Sequence, residues 1–121
     1  MNIEIKGETY ELKLGYKFSH ELDKVYTVKQ DIGGGQNVEF GVGVTFLYSY
    51  LSMANFDAIV RFYTEGLSYL KKRPSNDDII EAIEELASEK GLQAVADECI
   101  EGLRESGFYN HVLEAEKATK K

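Results

Sequence analysis

Residues 2–14 alternate between apolar and polar side chains, and the phase of the alternation changes at Lys6 and Gly7. Such a change is typical of two strands joined by a two-residue turn that contains glycine. The expected cross-strand pairs are Ile3 with Tyr10 and Ile5 with Glu8. The pattern therefore predicts a β-hairpin with one apolar face. Because an isolated hairpin is marginal in water, we expect helices to cover that face.

Five segments further along the chain carry apolar residues at spacings of three and four, which is the period of an amphipathic helix. The predicted helices span approximately residues 16–26, 42–54, 56–71, 75–91 and 92–107. Asn55 and Ser75 are residue types that cap helix N-termini, and Gly91 and Gly107 are typical helix ends. The sequence thus predicts an α+β fold with an N-terminal β-hairpin packed against a bundle of about five α-helices.

A chain of 121 residues suits one compact domain. We expect a single domain over residues 1–113, followed by a frayed polar tail over residues 114–121, where the sequence has no cap and no apolar stripe. Cys99 is the only cysteine, and its place in an apolar helical stripe predicts a buried thiol rather than a nucleophile. The acidic N-terminal segment carries no secretion signal, which favours the cytosol.

Residues 31–43 contain three consecutive glycines and then Gly-Val-Gly. A phosphate-binding loop of the Walker type would need a lysine and a serine or threonine directly after its glycines. Here no lysine follows Gly35 until Lys71, and the dinucleotide-binding pattern fails as well. We therefore interpret this segment as a flexible connector between two structural parts.

Negative charge is concentrated towards the C-terminus. Residues 75–116 hold twelve Asp or Glu residues against two Lys or Arg residues, within a chain of net charge −7. This field repels phosphate backbones, and the chain lacks the basic stripe that nucleic-acid binding requires. Residues 40–56 are uncharged, but their glycines and polar side chains make a poor membrane helix. We expect binding to neither nucleic acid nor membrane.

The sequence contains no set of residues with the spacing of a catalytic or metal site. His20 and Asp23 share one side of a predicted helix, but His111 is the only other histidine and no third ligand is evident. The serines lack a nucleophile-elbow context, and paired carboxylates lie on helix faces that are typical of solvated surfaces. We therefore predict that the protein is not an enzyme and has no catalytic residue, no cofactor and no metal.

The two middle predicted helices carry more apolar residues than one buried stripe requires. We assign the buried stripes to Phe46, Leu47, Tyr50, Leu51 and Ala54, and to Phe56, Ile59, Val60, Tyr63, Leu67 and Leu70. The surplus residues, which we predict to bind a partner, are Val44, Tyr48, Met53, Phe62 and Tyr69. A helix that is apolar on two sides is either central in its fold or in contact with a partner, and the sequence leaves both interpretations open. Tyrosines favour an interface, because a large ring is combined with a hydroxyl that tolerates water.

Four segments follow one another in a characteristic order: "MNIEIKGETYELKLGYKFSHELDKVY", "FGVGV" before an uncharged helix, "YLSMANFDAIV", and "KKRPSNDDIIEAIEE" before an acidic helix. This order resembles the tail assembly chaperones of long-tailed phages (siphophages) and prophages of Gram-positive bacteria, over roughly residues 1–105. The shared features are a hairpin, turns and capped helices rather than a catalytic signature.

The resemblance implies a non-enzymatic protein of the host bacterial cytoplasm that binds the phage tape measure protein, keeps it soluble and helps to recruit tail tube subunits. A homo-oligomer is compatible with this role. The alternative, which rests on the charge of residues 75–116, is a small acidic inhibitor that mimics nucleic acid and binds a basic cleft of a host protein. Salt would weaken an electrostatic mimic steeply and an apolar client complex hardly at all.

Overall fold

The computed structural model describes residues 1–119, with side chains for residues 1–36 and 41–114. Within this part of the chain there are four strands and six helices. In chain order they are β1 Asn2–Ile5, β2 Glu8–Glu11, α1 Tyr16–Val25, β3 Thr27–Gly33, β4 Gln36–Gly41, α2 Gly43–Ser52, α3 Phe56–Gly66, α4 Asn76–Lys90, α5 Leu92–Ser106 and α6 Asn110–Thr119. The predicted α+β class, with an N-terminal hairpin on a helical bundle, is confirmed.

The first hairpin forms as the alternation predicts. The paired residues of β1 and β2 are Asn2 with Glu11, Ile3 with Tyr10, Glu4 with Thr9, and Ile5 with Glu8. Lys6 and Gly7 both have positive φ, at 51° and 80°, as the tightest hairpin turns require. Ile3 and Ile5 are buried against the helices. Burial of this face stabilises a pair of strands that would be marginal alone.

The predicted helix caps are confirmed. The Asn55 side chain accepts a hydrogen bond from the backbone N–H of Ala58 at 2.9 Å, and the Ser75 hydroxyl accepts one from Asp78 at 3.1 Å. These side chains satisfy backbone donors that the first turn of a helix leaves free. Gly107 ends α5 in the left-handed conformation, with φ at 78°.

Helix α3 ends at Gly66, five residues before the predicted end at residue 71. The backbone N–H of Lys13 donates to the Gly66 carbonyl at 3.0 Å, so the chain after the first hairpin uses an acceptor of the last helical turn. A Cβ atom at Gly66 would lie 2.4 Å from the Leu12 side chain. The early end of α3 thus follows from its close contact with the first hairpin.

The segment between α1 and α2 is a second hairpin, so its interpretation as a flexible connector is wrong. Strands β3 and β4 pair antiparallel, and Gly33, Gly34 and Gly35 all have positive φ in the turn. The Asp31 carboxylate accepts a hydrogen bond from the Gly33 N–H at 2.8 Å. Every residue of β3 is exposed, so neither face of this strand packs against the core.

Helix α3 is the central helix of the fold. It contacts α1, α2, α4 and α5, and residues on two of its sides are buried. The Phe62 ring packs edge-on against Phe18, with ring centroids 5.7 Å apart, and against Tyr63 at 5.4 Å. The interpretation that an excess of apolar residues reflects a central position is therefore correct for α3.

A sixth helix, α6, spans Asn110–Thr119, after the five predicted helices. Tyr109, just before it, is buried, and its hydroxyl donates to the Leu14 carbonyl at 2.7 Å. This bond ties the end of the chain to the exit of the first hairpin. The division between a domain ending at residue 113 and a polar tail at 114–121 stays a prediction, and Lys120 and Lys121 lie outside the described residues.

Candidate partner-binding surface

Helix α2 has two apolar stripes, and only one of them is in the core. The buried stripe comprises Val44, Leu47, Tyr48 and Leu51. The other stripe comprises Phe46, Tyr50 and Met53, which are spaced by four and three residues and so share one side of the helix. Phe46 is half-buried, while Tyr50 and Met53 are 37% and 67% exposed. The helix thus presents an apolar side that its own fold leaves partly uncovered.

Tyr26, directly after α1, completes this surface. Its ring centroid lies 6.4 Å from that of Phe46 and 5.8 Å from that of Tyr50, and the last two rings meet edge to face at 6.3 Å. We call the surface formed by Tyr26, Phe46, Tyr50 and Met53 the aromatic face. Partial burial raises the pKa of the Tyr26 hydroxyl. This shift follows from the partly apolar surroundings of the ring, which disfavour the charged form.

Glycines in the "FGVGV" segment allow α1 and α2 to approach closely and so bring the aromatic residues together. The N–H of Gly43 donates to the Asp23 carboxylate at 2.9 Å, and the N–H of Val42 donates to the Tyr26 carbonyl at 2.9 Å. A Cβ atom at Gly43 would lie 2.6 Å from the Leu22 carbonyl carbon, and one at Gly41 would lie 2.5 Å from the Asp23 Cβ. Only glycine fits these two positions without a shift of the backbone.

The turn after α2 keeps Met53 exposed. Ala54 has a positive φ of 53°, and the N–H groups of Met53 and Asn55 both donate to the Tyr50 carbonyl at 3.1 Å. The chain reverses within this turn, so α3 starts at once and leaves the Met53 side chain uncovered. Phe56, the first residue of α3, is 37% exposed at the same end of α2.

Three of the five predicted partner-binding residues lie in the core. Val44 and Tyr48 are 7% exposed and Phe62 is fully buried, so their predicted placement on a free surface is wrong. For Val44 and Tyr48 the reason is that α2 turns the opposite stripe inward. For Phe62 the reason is the central position of α3, where neighbouring helices cover both of its apolar sides.

The remaining two residues, Met53 and Tyr69, reach the surface in different places. Met53 belongs to the aromatic face. Tyr69 is half-buried in the turn after α3, where its hydroxyl donates to the Glu11 carbonyl at 2.6 Å and the Lys13 ammonium lies 4.7 Å from its ring centroid. Tyr69 therefore ties this turn to the end of β2, and its role in partner binding stays a prediction.

The sequence interpretation missed Tyr26, Phe46 and Tyr50 as surface residues. Tyr26 was assigned to the apolar stripe of the first helix, at its end, and the other two were assigned to the buried stripe of α2. A signal was available in Gly43, which marks the side of α2 that contacts α1. Leu47 and Leu51 follow it at intervals of four residues, which places all three on that buried side.

Among the residues whose side chains are described, the polar groups form no arrangement that points to catalysis. His20 is exposed and stacks on Tyr16, with ring centroids 5.4 Å apart. Over the described residues, no group of three or more His, Cys, Asp or Glu side chains could hold a metal ion. Burial raises the pKa of the Cys99 thiol to about 12, so this cysteine is an unreactive core residue, as predicted. Among the residues that the structure describes, no helix combines the length and apolarity needed to cross a bilayer.

Comparison with known proteins identifies the family. Searches of curated proteins and of solved structures each give no significant match. A family model described as "Phage tail assembly chaperone protein, TAC" matches residues 2–116, which include both hairpins, α1 to α5 and most of α6. The chain therefore belongs to the phage tail assembly chaperone family, whose members are not enzymes.

Proposed function

We propose that this chaperone binds the phage tape measure protein in the cytoplasm of the host bacterium, keeps it soluble and helps to recruit tail tube subunits. The observation that supports a binding role is the aromatic face. Family membership supports a tail protein as the partner. The alternative of an acidic nucleic-acid mimic is not retained, because the chain belongs to a chaperone family.

The chemistry of the aromatic face suits an apolar helical client. Helix α2 has no charged residue, so a client that packs on it need not desolvate a charge. The tyrosine rings offer a large contact area at little cost in side-chain entropy, and a methionine adapts its shape to different partners. An amphipathic helix can lay its apolar stripe against such a surface.

The modest size of the aromatic face suits reversible binding. Its tyrosine hydroxyls are compatible with water when no client is present, whereas permanent interfaces are larger and more hydrophobic. A chaperone that must release its client during assembly requires this property. We propose Tyr26, Phe46, Tyr50 and Met53 as client contacts, with Tyr69 as a separate proposed contact.

Co-expression with the tape measure protein tests the proposal. The soluble fraction of the client is measured with the wild-type chaperone, with a Tyr50→Glu/Met53→Glu variant, and with no chaperone. The variant places two charges on the aromatic face without touching the buried stripe, so we expect the soluble fraction to fall to the level found without chaperone. Circular dichroism and thermal melting establish that the variant is folded.

Tyr16→Glu is the matched control, because Tyr16 is 80% exposed and lies outside the aromatic face. It adds a charge at an exposed aromatic position, and we expect it to keep the client soluble. A tape measure protein that is equally soluble with and without chaperone would refute the proposed role. Full rescue by a folded Tyr50→Glu/Met53→Glu variant would instead refute only the assignment of the surface.

A further inference from the structure

A cleft of about 810 Å³ lies between β1 and the pair of helices α4 and α5. Seven glutamates and two lysines are among its described lining residues, which gives these residues a formal charge of −5. Apolar groups also line it, including Met1, Ala82 and Leu86. The cleft therefore combines apolar walls with a strongly acidic rim, and it shares no lining residue with the aromatic face.

The acidic rim consists of two rows of carboxylates. Its members are Glu81, Glu85 and Glu89 on α4, and Glu98, Glu101 and Glu105 on α5. Spacings of three and four residues place the members of each row on one side of their helix. The ends of the α4 row are eight positions apart, or about 12 Å at the rise of an α-helix, which corresponds to about two helical turns.

Three of these six carboxylates form no ion pair within the described part of the chain. Glu81 pairs with Lys6 at 3.2 Å, Glu98 pairs with Lys90 at 2.7 Å, and Glu101 pairs with Arg104. Over the described residues, the carboxylates of Glu85, Glu89 and Glu105 form no hydrogen bond and no ion pair. Like charges at four-residue spacing destabilise a helix, so cations from outside would relieve a repulsion that the chain leaves in place.

We propose that this cleft binds a short amphipathic helix of a partner protein, with lysine or arginine residues on both sides of its apolar stripe. The apolar stripe would pack against Leu86, Ala82 and Met1. The flanking cations would meet one carboxylate row on each side, as charged positions do beside the seam of a coiled coil. This inference does not rest on the proposed binding of the tape measure protein at the aromatic face.

A synthetic peptide provides the probe. It is a labelled amphipathic helix about four turns long, which is near the length needed for stable helicity, with leucines on one stripe and lysines on both flanks. Binding to the purified full chain is followed by fluorescence anisotropy. We expect the wild-type chain to bind the peptide and not to bind a version in which glutamates replace the lysines.

Two variants of equal charge locate the site. Glu85→Gln/Glu105→Gln removes two unpaired carboxylates from the cleft, and we expect it to weaken binding about tenfold. Glu84→Gln/Glu114→Gln removes the same charge from two exposed carboxylates that do not line the cleft, and we expect a change of less than about twofold, because neither carboxylate would contact the bound peptide. Similar losses in both variants would mean attraction to the general acidic field and would overturn the proposal.

Four further results would overturn it. The first is failure of the peptide to bind. The second is equal binding of a peptide with the same composition but no apolar stripe, which would show that the apolar walls have no role. The third is dimerisation of the chain without peptide, together with protection of α4 and α5 from hydrogen exchange, which would show that a second copy of the chain occupies the cleft. The fourth is protection of Asn2–Ile5 from hydrogen exchange by a peptide that remains non-helical, which would indicate that the peptide pairs with β1 as an added strand.

Discussion

Replacement of Gly43 by alanine tests whether the close approach of α1 and α2 organises this fold. The new Cβ atom would lie 2.6 Å from the Leu22 carbonyl carbon and 2.7 Å from the Asp23 backbone nitrogen. Ordinary contacts are about 3.5–4.0 Å, so the clash is close to 1 Å with atoms that cannot rotate away. Relief requires α1 and α2 to separate, which also lengthens the hydrogen bond from the Gly43 N–H to the Asp23 carboxylate.

The size of the effect follows from opposing contributions. Overpacking of a close contact costs about 1–3 kcal/mol, and a weakened hydrogen bond to a charged group adds about 1 kcal/mol. Alanine recovers at most about 1 kcal/mol of helix propensity, because Gly43 is only the first residue of α2. We therefore expect the free energy of unfolding to fall by about 1–3 kcal/mol, which lowers the melting temperature by about 3–15 °C in a domain of this size.

Urea unfolding followed by circular dichroism measures this change. Gly15→Ala is the matched control, because Gly15 has a negative φ of −97° and no heavy atom lies within 4 Å of its added Cβ. Alanine at this position stabilises the protein by lowering the entropy of the unfolded chain, and it destabilises the protein because a glycine N-cap is lost. These effects roughly cancel, so we expect the free energy of unfolding to change by less than about 1 kcal/mol. Equal stabilities of Gly43→Ala and wild type would refute the reasoning.

Three further predictions concern the core. Phe62→Glu places a carboxylate at a fully buried position, so we expect the free energy of unfolding to fall by more than about 4 kcal/mol. Circular dichroism should then show an unfolded chain. The control variant Met53→Glu should remain folded. Tyr109→Phe removes the hydrogen bond to the Leu14 carbonyl and should lower the free energy of unfolding by about 1–3 kcal/mol in urea titrations; an unchanged midpoint would contradict the role of this bond. Burial raises the pKa of Cys99 from 9.0 to about 12 and that of Tyr109 from 10.0 to about 12, so the folded state favours their neutral forms. The contribution of these two groups to the stability of the folded state is complete below pH 9 and is lost as the pH rises towards 12, so the urea midpoint should fall over that interval. A constant midpoint would show that the folded chain does not shift these pKa values.

Local signals explain why much of the fold was predictable from the sequence. The register of the first hairpin follows from a turn in which both residues adopt positive φ and from the alternation on each side of it. The caps at Asn55 and Ser75 depend only on a side chain and the backbone three residues later. None of these features requires knowledge of what lies elsewhere in the fold.

The second hairpin was missed because its signals are weak. Strand β3 is exposed on both faces. Because neither face is buried, its sequence needs no alternation of apolar and polar residues. Its glycine-rich turn has the composition of a linker as much as of a hairpin. The Asp31 side chain that supports this turn through the Gly33 N–H is a local signal, but it does not reveal the pairing of strands.

The site was only partly predictable, because the orientation of α2 depends on tertiary contacts. With ten uncharged residues, α2 has apolar side chains in more than one direction, and periodicity alone cannot select the buried one. The selection comes from the contact between Gly43 and α1, which turns Leu47 and Leu51 inward and leaves Tyr50 outside. The sequence predicted more apolar side chains on α2 than one buried stripe requires; of these, Tyr50 and Met53 are exposed, whereas Val44 and Tyr48 are buried.

The division of the chain into an uncharged α2 and an acidic C-terminal third has a physical consequence. An exposed aromatic face promotes association between copies of a protein, because contact removes apolar surface from water. Like charges oppose that association, since each copy carries twelve acidic and two basic residues over residues 75–116. Charge placed on α4 and α5 rather than on α2 opposes contact between copies without lowering the apolar character of the aromatic face. An apolar helix of opposite or no net charge would not meet that repulsion, so this distribution of charge disfavours contact between copies more than contact with the proposed client.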